Sequence, residues 1–550
     1  MDTTPCSDVA SARWSSWNTI SWSDAHQHVR RLQARIAKAA KAENWRSVSR
    51  LQKLLIRSTN GKAVAVRRVT ENQGRKTPGV DGLTWSTPQA KWLAMQDLKS
   101  RPYSPKPLRR IHIPKANGGK RPLGIPTMKD RTMQALHWLA LDPVAETRAD
   151  LNSYGFRSGR STADAIAQCH NALSRSGSPQ WILEGDIKGC FDNISHDWLL
   201  HHVPMDRGTL SKWLKAGFLE GRTLFPTNAG TPQGGIISPT LANLALDGME
   251  RLLKENLPRR AKINFVRYAD DFIVTGDSQE ILATKVKPLL VSFLAERGLT
   301  LSDTKTKITH VTDGFDFLGW RIQKHKAFLR IVPSPNNAKR FYRKIRDRVR
   351  EYRGARQDAL IAALNPIIRG WGNYHHVVHA KRPFSKMDHR INQVLWRWAT
   401  RRHPMKGQKW IKRRYFRRND TRDWLFRTDE AALWHLASIP VKKHIKVRSD
   451  SNPYDPADEA YFDERLTRRM KATLHGRRRL AWLWQRQEGL CPVCTTKITQ
   501  KTGWHVHHVV WRVFGGTDRA SNLQLLHPAC HSQLHARAGR PLASAPTAEL

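Results

Sequence analysis

Two adjacent acidic residues, Asp270 and Asp271, lie between two apolar runs of β-strand type. The runs, INFV before them and FIVTG after them, predict a β-hairpin with the acids at its tip. Neighbouring carboxylates repel each other unless a cation holds them, and a divalent metal ion does so well. The motif predicts a metal site at a strand turn, although an isolated acidic pair in a hairpin is usually only a turn.

A second apolar run, WILEGDIKGCFDNI, places Asp186 at the end of another predicted strand. Phosphoryl transfer with two metal ions needs carboxylates from separate strands that converge on one point. We therefore predict that Asp186 and Asp270 bridge the two ions and that Asp271 is a weaker third ligand.

The charge of the chain restricts its partners. Its 94 Lys and Arg against 46 Asp and Glu give a formal net charge of +48, which only a polyanion would neutralise. Nucleic acid is the usual polyanion. An anionic membrane is the alternative, but we find neither an amphipathic anchor nor a transmembrane run, so we expect no membrane partner.

Length and cysteine usage add two expectations. The 550 residues, 39% of them hydrophobic, suffice for two to four domains. The six cysteines do not form a disulfide framework, and the first residues include no apolar signal core. We expect a reducing compartment and no secretion.

The predicted secondary structure changes along the chain. Two segments with helical apolar spacing open it, an α+β region follows over about 101–331, and three helices with basic outer faces are predicted over about 335–403. Residues 339–353 carry eight Lys or Arg against two acids. Such runs are often only solvated faces, but here one sign dominates and aromatics are interleaved, which favours phosphate contact with base stacking. Residues 449–459 are predicted to be a linker.

Two loops could serve a nucleotide. IPKANGGKRPLGIP is a basic loop with glycines that can bring Lys115 and Arg121 to a triphosphate. NAGTPQGGIISPTLANLAL joins a glycine-rich turn to a helix start, where backbone amides can approach a substrate.

These segments, in this order, resemble those of the reverse transcriptases, and YADD is the form typical of group II intron enzymes. The resemblance covers about residues 77–320, including YGFRSGRSTADAI, GLTLSDTKTKI and FDFLGW. It implies that Asp186, Asp270 and Asp271 bind two catalytic Mg²⁺ ions and that Lys115 and Arg121 contact the incoming dNTP.

The same resemblance gives roles to two further residues. Phe191 stands where the family has a bulky side chain against the nucleotide sugar, which would exclude a 2′-hydroxyl; the alternative is a core aromatic. Gln233 stands in the PQG segment, which lies near the primer or nucleotide. The helical segment from 335 to about 416, with GWGNYHHVV, is similar to the thumb and maturase region, which implies binding of the parent intron RNA.

Metal-ligand spacing recurs near the C-terminus, in Cys491-Pro-Val-Cys494 and His527-Pro-Ala-Cys530. One CxxC alone could be a redox pair. Two pairs with the same gap favour a structural tetrahedral Zn²⁺ site, because each pair presents two ligands to one ion.

The residues between and after these pairs follow the His-Asn-His order of the HNH endonucleases, which have a ββα-metal fold. The resemblance implies that His508 is the general base, that Asn522 holds the loop that orients it, and that a divalent ion is bound by His507, His531 and, as a third ligand, His535. Many relatives have Asp in place of His507 and Cys in place of His527, which leaves the metal preference open. A zinc knuckle without nuclease activity is the alternative.

Together these features predict a multidomain α+β protein with a right-hand polymerase, a helical thumb and a small HNH domain with zinc. The expected domains are an RNA-binding helical extension (1–76), fingers and palm (77–333), thumb and maturase (334–420), a basic DNA-binding region with linker (421–480) and the endonuclease (481–540).

The expected function combines RNA-directed DNA synthesis, splicing of the parent group II intron and cleavage of one target-DNA strand, in the bacterial cytoplasm and at the nucleoid during mobility. Expected partners are intron RNA, target DNA and dNTPs, and a homodimer is an option. The alternatives are a domesticated reverse transcriptase in defence or repair and a splicing factor with vestigial catalytic sites.

Overall fold

A computed structural model describes residues 14–99, 102–114, 119–221, 223–326, 328–419, 422–474 and 477–537. The N-terminal part is helical, as its apolar spacing predicts: Val29, Leu32 and Ile36 are all buried. Its helices are α1 Trp22–Lys41, α2 Trp45–Arg57, α3 Thr59–Glu71 and α4 Pro88–Asp97.

The central part has the predicted α+β character. Its strands are β1 Leu108–Pro114, β2 Lys120–Ile125, β3 Trp181–Asp186, β4 Phe218–Glu220, β5 Thr223–Phe225, β6 Phe265–Tyr268, β7 Asp271–Gly276, β8 Lys307–His310, β9 Phe315–Phe317, β10 Trp320–His325 and β11 Phe328–Pro333. Its helices are α5 Met128–Arg148, α6 Thr162–Leu173, α7 Cys190–Asn193, α8 His196–His202, α9 Arg207–Leu214, α10 Ser238–Leu246, α11 Met249–Asn256, α12 Gln279–Ile281 and α13 Lys287–Ala295.

Three sheets organise this central part. Strands pair in the orders β2-β1-β4-β5, β6-β7-β3-β8 and β11-β10-β9. The second sheet is antiparallel throughout. Helix α5, which is buried along most of its length, packs against α1, α2 and α3 and so joins the N-terminal helices to the central part.

The C-terminal part begins with the three predicted helices, which are confirmed. Its helices are α14 Pro335–Glu351, α15 Gln357–His375, α16 Lys381–Arg402, α17 Gln408–Tyr415, α18 Glu459–Thr473, α19 Arg478–Arg486 and α20 Pro528–Arg537. Its strands are β12 Phe416–Asn419, β13 Arg422–Phe426, β14 His505–His508 and β15 Leu523–Leu526. Strand pairs β12-β13 and β14-β15 are both antiparallel hairpins.

The segment 449–459, predicted to be a linker, packs against the central part instead. The Tyr454 hydroxyl donates to Asp142 on α5, and Arg160 donates to the carbonyl of Ser451 at 3.2 Å. The turn-forming composition suggests a linker, but the contacts are made by an aromatic side chain and a backbone carbonyl within the segment. In the described ranges, the helices lack the combination of length and apolar character that a bilayer span requires.

Candidate polymerase and metal centres

The YADD motif forms the predicted hairpin in the antiparallel sheet β6-β7-β3-β8. Strand β6 ends at Tyr268 and β7 begins at Asp271, with Asp270 in the turn between them. The last residue of β3, Asp186, is the register partner of Asp271. Residues 85 positions apart in the chain thus become neighbours at one edge of the sheet, as the two-metal prediction requires.

The electrostatics of these acids favour a bound cation. Burial and the neighbouring charge of Asp186 raise the pKa of Asp270. Desolvation in the cleft, with the charges of Asp270 and Asp186, raises the pKa of Asp271 to about 6. Divalent ions would relieve this repulsion, and carboxylate oxygens are the ligands that Mg²⁺ prefers.

A lysine that the sequence interpretation did not single out lies among these acids. Lys305, in the quoted segment GLTLSDTKTKI, places its Nζ atom 2.8 Å from Oδ2 of Asp186. This hydrogen bond raises the pKa of Lys305. In the described structure, the carboxylate oxygens of Asp186, Asp270 and Asp271 do not all lie within 4.8 Å of one another. The ammonium thus pairs with Asp186, next to the other two acids.

Hydrogen bonds, an ion pair and a close backbone contact support the hairpin, and the sequence analysis did not single out the residues that make them. The buried Arg267 donates to Asn243 Oδ1 at 3.1 Å and to the Ala269 carbonyl at 3.2 Å, and it pairs with Asp247. A Cβ at Gly155 would lie 2.2 Å from the Ala269 backbone nitrogen, so only glycine allows this close approach. Two features of the sequence could have indicated this support: the arginine near the end of the predicted strand before YADD, and the YGF segment.

The residues predicted to contact the nucleotide lie around these acids. Arg121, on β2, is close enough to Asp270 to offset part of the rise in its pKa. Phe191, on α7, is half-buried and meets the ring of Phe156 edge-on, with centroids 6.1 Å apart. Gln233 donates to the Asp192 carboxylate at 3.3 Å. Lys115 lies outside the described residues.

The C-terminal part brings together the four ligands predicted for zinc. The ligand atoms of Cys491, Cys494, His527 and Cys530 lie within 4.8 Å of one another, and all four residues are buried. Hydrogen bonds with Cys491 and Cys530 lower the pKa of the Cys494 thiol. The other ring nitrogen of His527, Nε2, faces the Lys497 carbonyl at 3.2 Å, which leaves Nδ1 for a metal. Three thiols and one imidazole suit a structural Zn²⁺ ion.

A second cluster lies where the β14-β15 hairpin meets α20. The ligand atoms of His507, His531 and His535 also lie within 4.8 Å of one another. Burial lowers the pKa of His507 and His531 to about 4, so both rings are neutral, the form that binds metal. His505, which the sequence interpretation did not include, adjoins this cluster, with Nδ1 3.4 Å from Nδ1 of His531.

His508 follows His507 on β14, so its side chain points to the other face of the hairpin. Its Nε2 atom is 2.7 Å from Oδ1 of Asp518, which also accepts from Arg512 at 2.7 Å. His508 and Arg512 lower the pKa of Asp518 to about 2. Asn522 pins this loop: its side chain accepts from the Val510 amide at 2.7 Å and donates to the Thr517 carbonyl at 2.9 Å.

Four family profiles match successive parts of the chain. They are described as N-terminal domain of reverse transcriptase (residues 17–98), Reverse transcriptase (RNA-dependent DNA polymerase) (113–322), Group II intron, maturase-specific domain (338–416) and HNH endonuclease (491–537). Together with the acidic residues of the polymerase cleft and the two metal-ligand clusters near the C-terminus, these profiles define a reverse transcriptase joined to an HNH nuclease module.

Individual relatives agree with the profiles. Protein YkfC of Escherichia coli is 32% identical over 345 residues, 54% of this chain and 89% of that protein. The group II intron-encoded protein LtrA of Lactococcus lactis is 31% identical over 48% of this chain and 55% of its own, so this chain spans about half of LtrA. The chain belongs to the group II intron-encoded reverse transcriptase/maturase family, with a C-terminal HNH endonuclease domain.

Two further likenesses are more distant. An uncharacterized 91 kDa protein in the cob intron of Schizosaccharomyces pombe is 29% identical over 58% of this chain and 50% of that protein. A solved structure of telomerase from Candida albicans in complex with a fragment of telomeric RNA aligns with 56% of this chain and 66% of its own, at 12% identity and a TM-score of 0.32.

Proposed function

We propose that this protein copies RNA into DNA, assists the splicing of its parent group II intron RNA and cuts one strand of a DNA target to prime the copying. The observation that carries the polymerase assignment is the pairing of Asp186 with Asp271 beside Asp270 at one sheet edge. The predicted domains, 1–76, 77–333, 334–420, 421–480 and 481–540, give the division of labour that we propose, with 77–333 as fingers and palm and 334–420 as thumb and maturase.

In the polymerase, Asp186, Asp270 and Asp271 would hold two Mg²⁺ ions, which supply activation of the primer 3′-hydroxyl and charge neutralisation at the triphosphate. Arg121, with Lys115, would bind the phosphates of the dNTP. Phe191 would exclude a 2′-hydroxyl, and Gln233 would line the same pocket.

In the endonuclease, His508 would take the proton from the attacking water, and Asp518 is placed to orient its ring. His507, His531 and His535 would hold one divalent ion at the scissile phosphate, while the cluster around Cys491 would hold structural Zn²⁺. Asn522 would keep the loop after His508 in place.

For RNA binding, the outer faces of α14 and α16 carry predominantly positive charge. Lys and Arg outnumber Asp and Glu on α14. The apolar residues of this helix, Phe341, Ile345 and Val349, are buried. Such a face lowers the repulsion between phosphates that a folded intron RNA brings together. We expect this complex in the bacterial cytoplasm, at the nucleoid during mobility.

Primer extension on an RNA template with dNTPs and Mg²⁺ tests the central claim, with Asp270→Asn as the matched variant. Synthesis by the wild-type chain that is lost in the variant supports the assignment. Equal synthesis by both would overturn the metal site. A splicing factor with vestigial sites predicts no synthesis with or without the intron RNA, whereas a domesticated enzyme predicts synthesis without any effect on splicing.

A further inference from the structure

The C-terminal metal module and the N-terminal helices, at opposite ends of the chain, form one interface. The indole nitrogen of Trp22 on α1 donates to Oε1 of Gln533 on α20 at 2.8 Å. The amide of the same Gln533 donates to the Asn18 carbonyl at 2.7 Å. At the edge of the contact, the hydroxyls of Ser23 and Thr495 are 2.7 Å apart. Trp22 and Gln533 are both buried, so this is a packed interface rather than a chance touch.

At the centre of this interface lies Arg67 of α3. Its side chain is only 8% exposed, and its Nη2 atom donates to the Sγ atom of Cys530 at 3.4 Å. Its Nε atom donates to Glu71 at 3.0 Å, and its guanidinium lies 4.6 Å from the centroid of the Trp22 ring. Glu71 and Trp22 therefore aim the cation at one sulfur of the four-ligand cluster.

We propose that Arg67 is an outer-sphere partner of the zinc centre and that metal binding by the cluster fastens the endonuclease module to the N-terminal helices. This inference rests on the proposed zinc site. Three thiolates and a neutral imidazole around Zn²⁺ carry a net charge of −1, which the guanidinium offsets through a charge-assisted hydrogen bond to Cys530. Without metal, a neutral thiol is a much weaker acceptor. Among the residues that the structure describes, the buried cation then keeps Glu71 as its one ionic partner.

The consequence is a nuclease held in a set position on the polymerase whenever its zinc centre is filled. The interface uses residues of α1, α3 and α20. His507 and His508 lie on β14, while His531 and His535, the other members of the histidine cluster, lie on α20 itself. Loss of zinc would loosen the module as a unit and leave the acids of the polymerase cleft in place.

The test compares Arg67→Met with Arg68→Met in the full-length protein. Methionine keeps much of the apolar stem and removes the charge. Arg68 is the adjacent residue of α3, but its guanidinium lies over Trp138 at 3.7 Å, which makes it a matched control. The rate at which a chelating dye takes zinc from each protein is measured. We expect Arg67→Met to release zinc on the order of ten- to a hundredfold faster than wild type, and Arg68→Met to match wild type.

A second measurement needs no variant. Hydrogen exchange of the wild-type protein is followed with zinc bound and after chelation, and we expect faster exchange after chelation in both α1 and α20. Equal release rates for the two variants, or exchange that changes in α20 alone, would overturn the inference while the zinc site stands. A purified wild-type chain without zinc in the cluster would overturn both the zinc site and the inference.

Discussion

The Nζ atom of Lys305 lies 2.8 Å from Oδ2 of Asp186, beside the acids that end β3 and begin β7. The lysine side chain is two-thirds exposed, so water screens the ion pair. The ammonium is a cation that lies next to a proposed metal ligand. A divalent ion that binds Asp186 must compete with this lysine.

Lys305→Gln is therefore expected to lower the Mg²⁺ concentration that gives half-maximal primer extension. Because exposed ion pairs contribute about 0.2–1 kcal/mol, the decrease should be about two- to fivefold. Lys307→Gln is the control, since Lys307 pairs with Glu184 at 3.3 Å on the adjoining strand. A higher Mg²⁺ requirement in Lys305→Gln would show that the lysine assists the metal rather than competing with it.

Phe191→Ala is expected to admit ribonucleotides. The half-buried ring is braced edge-on by Phe156, so removal of its bulk frees space next to the proposed sugar position. The ratio of kcat/KM for a dNTP to that for the matching rNTP should fall by at least about tenfold. Phe328→Ala is the control, because Phe328 begins β11 in a different sheet and its ring packs on His379. An unchanged ratio would assign Phe191 to the core instead.

His508→Ala is expected to reduce nicking of the DNA target by roughly 10²- to 10⁴-fold, because the side chain proposed to take the proton from water is removed. Primer extension from a supplied 3′ end should stay at the wild-type rate, since the polymerase acids lie on other strands. His201→Ala, an exposed histidine of α8 that contacts the Asp197 carbonyl, is the control. Nicking that survives in His508→Ala would move the role of general base to another residue, with His505 the first to test.

The buried Asp142 predicts a pH dependence of stability. Burial raises its pKa from 3.8 to about 7, although the hydrogen bond from Tyr454 opposes the rise. Between these pH values the folded state binds more protons than the unfolded state, so this group makes stability fall as pH rises from about 4 to 7.

Asp142→Asn keeps an acceptor for Tyr454 and removes the titration. Its Tm is expected to exceed that of wild type by several degrees at pH 8, with the gap closing toward pH 5. Thermal melts at four pH values measure this, beside Asp97→Asn, an exposed carboxylate paired with Lys129. A gap that does not change with pH would contradict the assigned protonation.

The local elements and the groups of ligands could be predicted from the amino-acid sequence. The hairpin at Asp270 follows from the apolar runs of strand type on both sides of the acids, and the three helices from Pro335 onward follow from an apolar period of 3.6. Both patterns are properties of neighbouring residues. The same holds for the pairs at Cys491 and His527, because two ligands separated by two residues in a tight turn or helix end already point to one place.

The contacts between distant segments could not be predicted in this way and are known from the fold. The register of Asp186 opposite Asp271, the Lys305 ammonium beside Asp186 and the burial of Tyr454 against α5 join residues far apart in the chain. Arg67 was one of many basic residues in the sequence, and its position 3.4 Å from Cys530 depends on the docking of two ends of the chain. The composition and spacing of a segment indicate which of its side chains are buried. The segment against which they pack depends on the fold of the whole chain.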